Sequence, residues 1–524
     1  MIPQRDLSHI GCQPCLSDPP GGPPAPRRYT AGVDLSIINL NALPLGWAIA
    51  VAAVEFLIRL AVLGIVPHKR RPSVALGWLL AIYLIPFVGL ILFLLLGSHK
   101  LPRARREKQV EMNRLIRENS PPDAVIGDDR PLPIWVRSAA VLNDRLGALP
   151  MTAGNELTLL DGYETACTAM ADAVREAKRY VHVEFYIAAE DPTTAPLLDA
   201  LDDAVARGVT VRFLLDHLGS AGYPGYPELV RRLDASGVQW ARMLPFRPWK
   251  LEYTRPDLRN HRKIVVIDGD VAFTGSQNCI DRSYNKRRNR RRKLQWEDLW
   301  LRATGPVVDA LNALFVTDWY AETDELLMHE AQDALPVEAS GGLMCQVVPS
   351  GPGFENENNL RMINTVLYHA LERVDIVSPY FVPDESSLSA VTSAAQRGVR
   401  INLYVSEISD QFFVYHAQRS YYEELMEAGV TIYLYRSPTI LHTKAILIDD
   451  DVAVVGSSNM DMRSFALNLE VSTLVHGRDF VADLDPVVAR YRASSSALTL
   501  EEWRERPLAV RFLDNVCRLT SALM

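Results

Sequence analysis

Residues 261–278 read HRKIVVIDGDVAFTGSQN, and residues 442–459 read HTKAILIDDDVAVVGSSN. Six positions agree in chemistry and spacing: His261, Lys263, Asp268, Gly275, Ser276 and Asn278 in the first stretch, and His442, Lys444, Asp449, Gly456, Ser457 and Asn459 in the second. Each pair is displaced by the same 181 residues, the mark of an internal duplication.

The copies extend upstream. From Ala173 to Asp216 the pattern is a helix, the apolar strand Tyr180 to Ile187, a second helix, then Arg207-Gly208-Val209 and a strand. Leu367 to Ser406 repeats that order through Arg397-Gly398-Val399, and each copy continues with a helix ending in Gly-Val at 237–238 and 429–430. Helices alternating with short apolar strands predict an α/β fold in which each half is a sheet covered by helices on both faces. The predicted halves span 146–335 and 336–524 and pack with pseudo-two-fold symmetry.

Ahead of them lie unlike segments. Seven prolines and Gly21-Gly22 within the first 30 residues predict a disordered tail over 1–40, which includes Cys12-x-x-Cys15, read as an unstructured pair. Residues 41–98 hold two apolar runs, Leu45 to Val66 and Val74 to Leu96, separated by PHKRRP. About 20 apolar residues cross a bilayer as a helix, so the segment predicts a two-helix transmembrane hairpin. Glu55 and Arg59, four apart, neutralise each other on one helix face, and Pro86 bends the second span without ending it. Residues 99–145 form a charged juxtamembrane linker, whose basic residues place the later region on the cytoplasmic side by the positive-inside rule.

Composition excludes other classes. With 524 residues, 48% hydrophobic and 23% charged, the chain is neither a disulfide module nor a disordered polymer. A net charge of -8 gives no basis for a general nucleic-acid binder, and six scattered cysteines read as reduced thiols.

In extended backbone, side chains at i and i+2 share a face, so His261 with Lys263 and His442 with Lys444 project together while Arg262 and Thr443 point away. Two imidazoles, two ammonium groups and two amides converging on one pocket suit a phosphodiester. Lys263, Lys444, Asn278 and Asn459, with Ser276 and Ser457, are the candidate phosphate ligands. One histidine attacks phosphorus while the other protonates the departing alkoxide, and no metal or cofactor is required. Each histidine needs a carboxylate on its second nitrogen. Asp298, with Glu297 as its rival, and Glu470 are the candidates. Asp268 and Asp449 fall at an odd spacing that puts them on the opposite face, as turn or structural residues. His182, His217, His369 and His416 have no counterpart in the repeat and read as structural or surface residues.

These stretches resemble the phospholipase D superfamily, whose signature is a paired HxKxxxxD motif, and most nearly its bacterial cardiolipin synthase branch. The hairpin, Gln346-Val-Val-Pro-Ser-Gly-Pro-Gly353, Ser378-Pro-Tyr-Phe-Val-Pro-Asp384 and Asn459-Met-Asp-Met-Arg-Ser464 carry the narrower likeness. The resemblance implies a membrane-bound phosphatidyltransferase that joins two phosphatidylglycerols into cardiolipin and releases glycerol. It also brings the whole signature, Asp268 and Asp449 included, into the catalytic set. A phospholipase D hydrolase, another phosphatidyltransferase and a non-catalytic membrane scaffold are the alternatives. Lys286 to Lys293, KRRNRRRK, is either a solvated insertion or a contact for anionic membrane lipid. Trp503 to Leu523 reads as an amphipathic helix packed on the core.

Overall fold

A computed structural model describes residues 45–68, 70–97, 101–119, 132–147, 149–247, 252–327, 341–354 and 357–521. The predicted tail, with Cys12 and Cys15, and the predicted boundary near residue 335 lie outside the described residues. The chain divides into two compact units after Gly89.

In the first unit, helix α1 (Leu45–Ile65) is followed by α2 (Pro72–Leu84). Glu55 and Arg59 pair at 3.4 Å, and the Tyr83 hydroxyl donates to the Arg59 carbonyl at 3.1 Å. Phe56, Leu57, Leu60 and Leu63 on α1 and Leu76, Leu80 and Leu84 on α2 are exposed. The second apolar run is not one bent span. It stops at Ile85, whose φ of -134° leaves the helical region, and restarts as α3 (Pro86–Leu96), since proline has no N–H to continue the ladder. Among the described residues no helix is long and apolar enough to cross a membrane; the side chains of Leu45 and Ala48 in α1 lie outside them.

The second unit is organised by one sheet. Its first half supplies β1 (Thr152–Leu160), β2 (Tyr180–Phe185), β3 (Thr210–Asp216), β4 (Gln239–Met243), β5 (Ile264–Ile267), β6 (Val271–Gly275) and β7 (Trp300–Thr304). Its second half supplies β8 (Leu343–Ser350), β9 (Arg373–Val377), β10 (Arg400–Ser406), β11 (Thr431–Tyr435), β12 (Ala445–Ile448), β13 (Val452–Gly456), β14 (Asn468–His476) and β15 (Ser495–Leu498). The order is β4-β3-β2-β5-β6-β7-β1-β8-β14-β13-β12-β9-β10-β11-β15. Read outward from the antiparallel β1–β8 pair, the halves repeat one sequence of strands, and β15 alone has no counterpart.

Each half therefore contains a parallel β2-β3-β4 or β9-β10-β11 set and an antiparallel remainder. The run YVHVEF of β2 is buried throughout, as a strand covered on both faces must be. Helices Tyr163–Glu176 and Ala195–Ala206 close one face of the first half through Met170, Leu197 and Leu201. Helices Val307–Thr323 and Arg478–Ala493 share a core with strands of both halves through Leu311, Phe480, Leu301 and Leu447.

The signature motifs sit at the entrance to β5 and β12 rather than inside them. His261–Lys263 is an irregular link between the short strand Arg259–Asn260 and β5, and His442–Lys444 joins Thr439–Leu441 to β12. The predicted alternation survives without regular pairing: Arg262 turns away to bond Asp318, and Thr443 turns away to bond Tyr491.

Candidate active site

Each motif reaches across the dyad. Arg259–Asn260 runs parallel to Asn468–Leu469 of the second half, and the His261 N–H donates to the Leu469 carbonyl at 2.8 Å. In the related copy, Thr439–Leu441 runs parallel to Gln295–Glu297 of the first half, and the His442 N–H donates to the Glu297 carbonyl at 2.7 Å. Each histidine is thus held against the carboxylate of the opposite half: His261 Nδ1 lies 2.9 Å from Glu470 Oε2, and His442 Nδ1 lies 2.6 Å from Asp298 Oδ1. With Nδ1 engaged, Nε2 is the nitrogen left for chemistry. Both rings line one cavity of about 540 Å³, together with Asn278, Asn459, Tyr186 and Arg463.

The family profile described as cardiolipin synthase, PLD-like domain, matches residues 170–319 and 363–491. The cardiolipin synthase A of Proteus mirabilis is 32% identical over 468 residues, 87% of this chain and 94% of that protein. The cardiolipin synthase A of Yersinia pseudotuberculosis is 33% identical over 473 residues, 88% of this chain and 95% of that protein. The chain belongs to the cardiolipin synthase family. A solved structure titled phosphatidylserine synthase from Haemophilus influenzae aligns with a TM-score of 0.55 at 14% identity, covering 73% of this chain and 99% of that one, a likeness of fold.

The two aspartates of the paired signature stand away from the cavity. Asp268 accepts backbone N–H bonds from Lys178 and Arg179 at 2.7 Å and from Tyr180 at 2.9 Å; Asp449 does the same for Leu371, Glu372 and Arg373. Both occupy left-handed turn positions, φ +54° and +50°, that aspartate tolerates better than most residues. Neither lines the cavity.

Ser276 and Ser457 are also not placed as phosphate ligands. The Ser276 hydroxyl donates to Asp298 Oδ1 at 2.7 Å and accepts from the Leu299 N–H at 3.0 Å; Ser457 serves Glu470 and the Val471 N–H identically. They stand behind the histidines and hold the carboxylates in place. Lys263 and Lys444 are buried, donate to the carbonyls of His261 and His442, and do not line the cavity. Asn278 and Asn459 do face the cavity, but unequally. Asn278 is fixed by the Tyr284 hydroxyl at 2.9 Å and the Ile187 N–H at 3.2 Å, whereas Asn459 Oδ1 is buried without a partner.

Glu297, the rival to Asp298, contributes its carbonyl to His442 while its carboxylate pairs with Arg282. The other histidines stay outside the cavity: His182 stacks between Tyr180 and Phe315, His217 accepts from the Phe246 N–H, and His369 donates to the Thr365 carbonyl. Sequence reasoning missed Tyr186, Tyr284, Tyr380 and Arg463, which line the cavity. Arg463 and Tyr380 carried a signal, as parts of Asn459-Met-Asp-Met-Arg-Ser464 and Ser378-Pro-Tyr-Phe-Val-Pro-Asp384; Tyr284 stands in neither.

Burial dominates the electrostatics. Desolvation, with Lys263, Lys444 and His442 nearby, holds His261 well below its ordinary pKa. His442 is lowered by burial too, but the Asp298 carboxylate beside it opposes that shift. Burial brings Lys263 to about 7 and Lys444 to about 8, and pushes Glu470 up to about 7. Asp298 stays below its ordinary value despite burial, because His442 and Lys444 favour its anion.

Proposed function

We propose that the cavity transfers a phosphatidyl group between two phosphatidylglycerol molecules, giving cardiolipin and glycerol. The observation that carries this reading is the crossed pair: two histidines, each with Nδ1 on the other half's carboxylate, exposing Nε2 to one cavity. His261, kept neutral by burial and by two lysines, is the nucleophile. Its Nε2 forms a bond to phosphorus as the P–O bond to glycerol breaks, and His442 gives its proton to the departing alkoxide. The headgroup hydroxyl of a second phosphatidylglycerol then loses its proton to His442 and attacks phosphorus, freeing His261. Asn278 and Asn459 contact the non-bridging oxygens, and the buried ammonium groups of Lys263 and Lys444 offset the growing negative charge.

The same reading places the enzyme at a membrane. The exposed apolar side chains of α1 and α2 are unfavourable in water, and a bilayer accommodates them as part of the anchoring hairpin. The larger basic cluster after it favours a cytoplasmic site, and anionic lipid is the natural surroundings of the substrate.

The test uses purified protein in vesicles of phosphatidylglycerol alone, scored for lipid products and free glycerol. Cardiolipin with equimolar glycerol is expected, and His261→Ala or His442→Ala is expected to abolish both. Phosphatidic acid in place of cardiolipin would replace the reading by a hydrolase, no product from the parent would leave a scaffold, and full activity in either variant would remove that histidine from the mechanism.

A further inference from the structure

The C-terminal segment packs on the core through Trp503, Leu513 and Cys517, as expected, but not as a single helix. Instead of one helix it forms Leu500–Arg504 and Leu508–Arg518, and the latter is docked through a charge. Asp514, 1% exposed, bonds to His416 at 2.7 Å and pairs with Arg419 and Arg506. That leaves Leu508, Phe512, Val516 and Leu519 facing outward, from 43% to 84% exposed. The helix Phe412–Arg419 on which it rests adds Phe412 and Phe413, also exposed. Six large apolar side chains on two adjoining helices are unfavourable in water.

The position of this surface identifies what covers it. Phe413, Val414 and Thr520 of these two segments line the catalytic cavity, so the apolar surface is continuous with its mouth. The cavity wall also includes Tyr223, and the Lys286 ammonium lies 4.1 Å over that ring. Lys286 begins the KRRNRRRK segment, whose helix Arg287–Arg291 is pinned by buried Asn289 to the Ser283 carbonyl while all seven basic residues are exposed. An apolar rim and a cationic rim around one opening match the two layers of an anionic bilayer surface, acyl edge and headgroups.

We propose that the C-terminal helix, Phe412, Phe413 and the basic loop together form a bilayer-docking face that sets the catalytic cavity directly on the surface of an anionic membrane. The lipid specificity rests on the proposed phosphatidylglycerol reading, while the docking is measured without turnover. The full chain with Cys12→Ser and Cys15→Ser receives Phe512→Cys, Leu519→Cys or, as a control on an exposed helix end, Glu176→Cys. Each carries a polarity-sensitive fluorophore and is reconstituted in phosphatidylglycerol vesicles containing a lipid with a spin label near the headgroup.

Quenching about threefold stronger at 512 and 519 than at 176 is the expected result. Arg287→Ser, Arg288→Ser, Arg291→Ser and Arg292→Ser combined should weaken it about twofold; unchanged quenching would remove the loop from the face. Quenching at 512 and 519 no stronger than at 176 would overturn the proposal. So would labels shielded from water yet untouched by the spin-labelled lipid, which would assign the face to a second copy. An inactive protein with quenched labels would sink the synthase reading alone, and cardiolipin formation with unquenched labels would sink the docking alone.

Discussion

His261 and His442 are chemical twins in unequal surroundings. Asp298 beside His442 is held below its ordinary pKa while burial raises Glu470 beside His261 to about 7, so His442 is the better proton donor and His261 the better nucleophile. Asp298→Asn removes the anion that stabilises the imidazolium and lowers the His442 pKa further. The protonated fraction at neutral pH then falls: turnover should drop about 100-fold or more, with the alkaline limb of the pH–rate profile moved to lower pH. An unmoved limb would assign the acid elsewhere. Glu470 makes a different prediction. Its pKa in the folded protein is about 7, raised by burial from an ordinary 4.5. The folded state therefore holds more protons than the unfolded chain between those values, and stability falls as pH rises through that window. Glu470→Gln cannot titrate, so its melting temperature should vary less than the parent's between pH 4.5 and 7. Equal slopes would show that Glu470 is ionised throughout.

At the scale of elements, the glycine of each motif governs how closely two strands approach. A Cβ on Gly456 would lie 2.3 Å from the Val471 carbonyl oxygen, and one on Gly275 would lie 2.3 Å from that of Leu299. Those carbonyls adjoin Glu470 and Asp298. Gly456→Ala should cost about 1–3 kcal/mol and also lower turnover, because displacing β14 moves the carboxylate away from a histidine of the other half. Full activity would show that the register of β14 is not what positions His261. Asp268→Ala should show the reverse pattern. Losing its backbone N–H bonds should cost about 1–3 kcal/mol, seen as a lower melting temperature, while the rate per folded molecule is kept.

These two cases mark what is legible in sequence. Spacing alone separated Asp268 from His261, since strand alternation is local. It also picked out Asp298 and Glu470 as carboxylates near the motifs, although Asp298 follows Asn278 by 20 residues and Glu470 follows Asn459 by 11, the difference coming from the basic insertion. It could not show that each serves the opposite histidine, because that depends on short parallel pairings across the dyad. Nor could it show Ser276 and Ser457 behind the site: a hydroxyl two residues from a phosphate-binding amide has the same spacing whichever way its strand faces.

The crossing has a consequence for the whole molecule. Neither half has a complete histidine–carboxylate pair of its own: the first half holds His261 and Asp298, the second His442 and Glu470, and both working pairs form only when the halves share one sheet through β1 and β8. In the structure a single chain makes both crossings. His261→Ala and His442→Ala proteins, mixed in one membrane or made in one cell, should therefore remain as inactive as either alone, since no cavity then contains two imidazoles. Recovery of about a quarter or more of parental activity would mean that halves exchange between chains, the route by which a duplicated fold with a shared sheet becomes a swapped dimer. Fusing the two variants in one chain would not discriminate, so the measurement is cardiolipin formed by separately tagged chains across a range of dilution in lipid. Intrachain assembly requires no dependence on dilution for the parent and no product at any ratio of the two variants.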